Sequence, residues 1–113
     1  MAPRREIDFV YTPLFERSAR GLLDDESMRQ AELELLNDPR AGATVAGTGG
    51  IRKLRVALPG RGKRGSTRVA YLYLEVRGRV YFLLAYAKAE RVDLSAADRK
   101  VLRTLVTELE TRE

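Results

Sequence analysis

The chain contains neither histidine nor cysteine, and these two absences remove most familiar hydrolytic chemistry. Without histidine there is no Ser-His-Asp triad, no zinc–histidine site and no imidazole to carry a proton. Without cysteine there are no disulfides, no thiolate nucleophile and no cysteine-based zinc site, which suits a reducing cytoplasm. No metal and no cofactor are expected. Apolar runs are short, and none approaches the roughly 18 residues of a membrane span. Met1–Arg5 is not followed by the apolar region of a signal peptide. A soluble, cytoplasmic domain is expected, with no membrane partner.

Acid is the other scarcity, and it is local. From Gly47 to Lys88 there are ten Lys/Arg and a single acid, Glu75, a local charge of +9 in a chain of net +5. The remainder is net −4, with six basic against nine acidic residues before Gly47 and five against six after Lys88. The basic excess is therefore a patch. Concentrated positive charge is what a phosphate backbone requires, because neutralising phosphates releases condensed counterions. The competing reading is an ordinary solvated face. Interleaving with strand residues sets this patch apart from a simple charge run.

The 113 residues carry no internal repeat and no dividing linker, so one domain over residues 1–113 is expected. Glu6–Tyr11 reads as a first strand. Thr12 followed by Pro13 is a helix start, and Leu14, Phe15, Ala19, Leu22 and Leu23 supply its apolar side. A second helix is predicted over Asp24–Asn37, its acidic opening matched to the helix dipole and its end set by Asn37-Asp38-Pro39. Ala41–Gly50 is a small-residue loop. Ile51–Leu58 alternates with period two, so Leu54, Val56 and Leu58 share one face while Lys53 and Arg55 project from the other. Pro59–Ser66 is a basic hairpin connection. Thr67–Val76 and Val80–Ala87 are further strands, the latter apolar on both faces. Ser95 caps a closing helix, with Asp98 completing a capping-box variant. The predicted fold class is α+β in the order β-α-α-β-β-β-α. Its sheet is mostly antiparallel, with the helices packed on one face.

Gly60–Gly65 matches the letters GxGxxG, but a strand follows it where a dinucleotide site needs a helix N-terminus. Ser66 also stands where a Walker A loop needs lysine. The loop reads better as a cationic hairpin tip able to follow an RNA backbone. Lys53 and Arg55 point to one face, Arg68 can join them across the hairpin, and Lys88 lies on the same side as Tyr86. Four cations converging on one face repel one another unless an anion fills the site. Tyr86 is a candidate for base stacking, against the plainer role of core packing.

The run Gly49-Gly50-Ile51-Arg52-Lys53-Leu54-Arg55, the basic loop, Arg68-Val69-Ala70-Tyr71 and Leu84-Ala85-Tyr86-Ala87-Lys88 together resemble the RelE/HigB-type toxins of type II toxin–antitoxin systems. The HigB-like, phage-protein-related branch is the closer resemblance. It extends over nearly the whole chain, including Asp93-Leu94-Ser95 before the last helix. The family implies a small ribonuclease fold, cleavage of translated mRNA in the ribosomal A site and inhibition of translation. It also implies neutralisation by a cognate antitoxin, typically a DNA-binding helix-turn-helix protein. By resemblance Lys53 matches a catalytic lysine, Arg68 matches the arginine opening an R-L/V-x-Y strand, and Lys88 lies near a later catalytic cation. Ile51 stands where the family has another strand lysine. Arg55 is added on geometry, and Arg52, Arg61, Lys63, Arg64 and Tyr86 are assigned to RNA contact.

These residue types suit a metal-independent endoribonuclease. Attack of a 2′-hydroxyl on the adjacent phosphate needs a proton acceptor, a proton donor and stabilisation of a dianionic phosphorane. With no histidine, lysine is the available base, and neighbouring cations favour its neutral form. Arginine stays charged and suits the stabilising role. Two alternatives remain: a ParE-like inhibitor of DNA gyrase, and a catalytically silent relative that binds nucleic acid.

Overall fold

The computed structural model describes residues 6–56, 67–87 and 94–112. Strand β1 (Asp8–Tyr11) is followed by helices α1 (Pro13–Ala19) and α2 (Asp25–Asn37). Strands β2 (Ala43–Thr44), β3 (Arg52–Val56), β4 (Thr67–Leu74) and β5 (Arg79–Ala87) come next, and α3 (Ala96–Thr111) closes the chain. One five-stranded sheet runs β1-β5-β4-β3-β2. Only β1 and β5 pair in parallel; the other neighbours are antiparallel. The fold is α+β, as the sequence predicts. Three elements differ: the first helix ends at Ala19 and leaves the expected Leu22 and Leu23 beyond it, Ala43–Thr44 forms a short edge strand inside the predicted loop, and the fourth strand ends at Leu74 in a 3-10 turn over Glu75–Arg77. Among the described residues no helix is long and apolar enough to cross a membrane.

Helix starts follow local chemistry. The Thr12 hydroxyl accepts the Phe15 amide at 3.1 Å, and Asp24 accepts the Ser27 amide at 2.8 Å. Ser95 and Asp98 make the full reciprocal capping box at α3. Each cap satisfies amides that lack an intrahelical partner and contributes about 0.5–2 kcal/mol. Gly47, Gly49 and Gly50 take left-handed φ of +77°, +82° and +119° in the turn before β3, a region that a Cβ disfavours.

The outer edge of β5 is closed in two stages. β1 pairs with it as far as Tyr11 opposite Phe82. Beyond that point α1 takes over with side-chain hydroxyls: Thr12 donates to the Phe82 carbonyl at 2.8 Å, and Ser18 accepts the Ala85 amide at 2.9 Å. Unpaired strand edges template aggregation, and a short helix here covers one.

The sequence predicts helices on one face of the sheet; the structure places them on both. Val69 and Tyr71 of β4 pack with Leu54, Val80, Phe82, and with Phe15, Met28, Ala31 and Leu35 of α1 and α2. The alternate residues Ala70 and Leu72 pack with Ile51, Tyr81, Leu83, and with Leu102, Val106 and Leu109 of α3. A strand buried on both sides needs cover on both sides, and α3 supplies the second layer. At the centre of the first layer Phe82 stacks on Phe9 at 5.7 Å and meets Tyr11 and Phe15 at 4.9 and 5.5 Å. Such ring pairs add about 0.5–1.5 kcal/mol beyond the area they bury.

Candidate nucleic-acid interface

The register gathers Lys53, Arg55 and Arg68 on the face that carries α3. Lys53 lies opposite Ala70, Arg55 opposite Arg68, and Arg68 opposite Tyr86. Alternation puts these residues in phase with Ile51, Ala70 and Leu72, which form the core beneath α3. Along β3 this face passes from buried Ile51 through half-buried Lys53 to exposed Arg55. Along β4 it passes from buried Leu72 and Ala70 to half-buried Arg68. The basic face therefore begins where the apolar layer under α3 ends.

Arg55 and Arg68, directly opposed on neighbouring strands, have Cβ atoms about 5 Å apart. Arg68 Nη1 is buried and has no hydrogen-bond partner among the described residues. A buried guanidinium nitrogen left without an acceptor is costly, and an oxyanion is the group that satisfies it. The patch's single acid does not serve. Glu75 pairs with Arg40, whose guanidinium also lies over the Tyr73 ring at 5.3 Å. The ion pairs among the described residues are this one and Arg29–Glu26, and neither involves Arg55 or Arg68.

Arg52 does not join the basic face, and its assignment to RNA contact is corrected. Its position between Ile51 and Lys53 turns it to the α2 side, where its guanidinium donates to the carbonyls of Gly42 at 2.8 Å and Arg40 at 3.2 Å. There it fastens the loop after α2. Tyr86 shares the basic face by register, but it is only 2% exposed and packs in the core beneath α3. It presents no open ring for a base to stack on, so the plainer packing role holds. Lys88, Arg61, Lys63 and Arg64 lie outside the described residues. Ile51 is fully buried and anchors its end of β3 to the α3 layer.

One residue that sequence reasoning left without a role is Tyr71. Its side chain is fully buried on the α2 side, and its hydroxyl donates to the Pro39 carbonyl at 2.9 Å and accepts the Gly42 amide at 3.0 Å. Burial raises the pKa of this phenol, against a smaller lowering from the Gly42 amide, so the hydroxyl stays a donor at neutral pH. The tyrosine closing Arg68-Val69-Ala70-Tyr71 was the available signal.

The model of the family described as the RelE toxin of the RelE/RelB toxin–antitoxin system matches residues 9–113. Among solved structures the chain is similar to a double arginine-to-alanine mutant of the E. coli toxin RelE in the free state. That match has 14% identity and a TM-score of 0.56, covering 88% of this chain and 95% of that one. It is also similar to a chain of the intact E. coli RelBE toxin–antitoxin complex, with 17% identity and a TM-score of 0.54, covering 71% of this chain and 94% of that one. At these identities the structural likeness establishes the fold, and the family model covers nearly all of the sequence. The chain thus belongs to the RelE toxin family, the toxin side of RelE/RelB toxin–antitoxin systems.

Proposed function

We propose that this toxin is a ribosome-dependent endoribonuclease of the HigB-like branch that cuts translated mRNA in the A site. The observation that carries the reading is the Arg55–Arg68 opposition beside Lys53, where neither arginine has an ion pair among the described residues. In the proposed reaction the 2′-oxygen of one nucleotide bonds to the adjacent phosphorus as the bond to the 5′-oxygen breaks. A 2′,3′-cyclic phosphate and a free 5′-hydroxyl result. Arg68 holds the equatorial oxygens as their charge grows, and Arg55 clamps the neighbouring phosphate. Lys53 is the base or a phosphate clamp. Lys88 and the loop cations Arg61, Lys63 and Arg64 extend the RNA track by their sequence positions. No metal is required in this scheme.

The partners proposed are the ribosome with its mRNA and a cognate antitoxin, the latter supported by the likeness to the RelBE complex. A helix-turn-helix antitoxin is the type expected for this branch, and the cytoplasm is the proposed compartment. The whole chain, residues 1–113, is proposed to act as one domain. Purified toxin added to ribosomes translating a defined message tests the activity. Primer extension is expected to show new ends inside the reading frame only when the message is being translated. Intact mRNA together with blocked supercoiling by DNA gyrase would support the ParE-like alternative instead.

A further inference from the structure

We propose that Tyr71 is a positioning residue for Lys53, acting through the two-residue strand β2. This inference rests on the reading of Lys53 as part of the RNA-cleaving face. β2 meets β3 in only two registered pairs, Ala43 with Lys53 and Thr44 with Arg52. So short a pairing does not hold itself in water. What fixes the approaching chain is the Tyr71 hydroxyl, bonded at once to the Pro39 carbonyl and the Gly42 amide. Arg52 adds a second tether to the Gly42 carbonyl.

The backbone of Gly42 is wedged between the two residues concerned. A Cβ placed there would lie 2.7 Å from the Lys53 carbonyl oxygen and 2.8 Å from Tyr71 Cε1. Tyr71 therefore sets how closely the loop backs onto Lys53, and the loop supports the side of the Lys53 backbone that faces away from β4. Because strand side chains alternate in direction, the Lys53 side chain leaves on the other face, toward Arg55 and Arg68. Tyr71 does not reach that face. It acts through β2, on the placement of a group whose usefulness depends on its position.

The test uses the full chain with Tyr71→Phe, which keeps the buried ring and removes both hydroxyl bonds, and Gly42→Ala, which pushes the loop off Lys53 while keeping the hydroxyl. Two readouts are taken: amide hydrogen exchange at Gly42–Thr44 and Lys53, and cleavage on programmed ribosomes as a function of toxin concentration. In both variants exchange at Lys53 is expected to accelerate while central β5 amides keep their protection. The saturating cleavage rate is expected to fall about tenfold to a hundredfold, the penalty typical of a displaced reacting group. The half-saturating concentration should stay near that of the unsubstituted toxin. Faster exchange with an unchanged saturating rate would overturn the inference, as would proportional losses of rate and ribosome affinity. If the unsubstituted toxin cleaves nothing, the proposed function falls, and exchange decides the linkage alone: acceleration at Lys53 supports it and unchanged exchange overturns it.

Discussion

Arg55 and Arg68 occupy directly opposed positions on β3 and β4, a placement that sets like charge against like charge. Opposed like charges destabilise a strand pair, by about 0.2–1 kcal/mol on the scale of cross-strand side-chain effects. Arg55→Thr is therefore expected to raise the melting temperature in low salt, with the gain shrinking as salt screens the repulsion. The same variant should cleave more slowly. Thermal denaturation at two ionic strengths, paired with a cleavage assay, checks both halves; a lower melting temperature in low salt would contradict the repulsion.

Arg68→Ala should damage the chemical step more than ribosome binding. A guanidinium that bonds developing charge contributes most in the transition state, and losing such a donor costs on the order of 10²–10³ in rate. Lys53→Arg keeps the charge but removes a group able to lose its proton, so it should remain slow if lysine is the base. Rates at saturating toxin on programmed ribosomes decide the matter. Full recovery of Arg68→Ala at saturation would leave it as a binding residue only.

Arg77 closes the C-terminal end of α3, donating to the carbonyls of Leu109 at 2.7 Å and Glu110 at 3.0 Å. A cation at this end also meets the negative pole of the helix. Arg77→Ala is expected to cost about 1–3 kcal/mol, the range for charged hydrogen bonds that lose one partner. Hydrogen exchange should show the loss concentrated in the last turn of α3, with α2 unaffected.

Asp24 caps α2, and its bond from the Ser27 amide lowers its pKa below the ordinary 3.8. A depressed native pKa means a contribution that is complete above the unfolded value and lost as pH falls through the native one. Asp24→Asn retains a capping oxygen without a titrating group. It should resemble the unsubstituted toxin at neutral pH and show a shallower loss of melting temperature in acid. Melts recorded from pH 7 down to about pH 2 will show whether the two curves separate below the usual carboxylate pKa.

Most of the fold is legible in local chemistry. Thr12-Pro13, Asp24 and the Ser95–Asp98 pair mark helix starts because each supplies an oxygen to an otherwise unpaired amide. Period-two alternation places Lys53 and Arg55 together, and the same alternation excludes Arg52, a consequence the residue's charge obscures. The second helical layer was written in β5, whose apolar residues on both sides call for cover on both sides. The two residues of β2 carry no periodicity, and their place depends on Tyr71, far away in sequence. Burial of Tyr86 depends in the same way on residues remote from it, so no local pattern distinguishes a packed ring from a presented one.

The pairing of β4 with β5 skips one residue: Ala70 meets Leu84 and Tyr71 meets Phe82, leaving Leu83 between them. Leu83 and Leu84 consequently both turn toward the α3 layer, and every later residue of β5 is shifted by one step in phase. The bulge thus works as a parity setting for the residues that follow it. Closing the bulge with every residue kept would send Tyr86 to the α2 side and bring Ala85 to the basic face, with no change in composition at all. The face that meets RNA in the proposed function can therefore vary by substitution along β5, but it depends on the bulge at Leu83, whose loss without a deletion exchanges inside for outside.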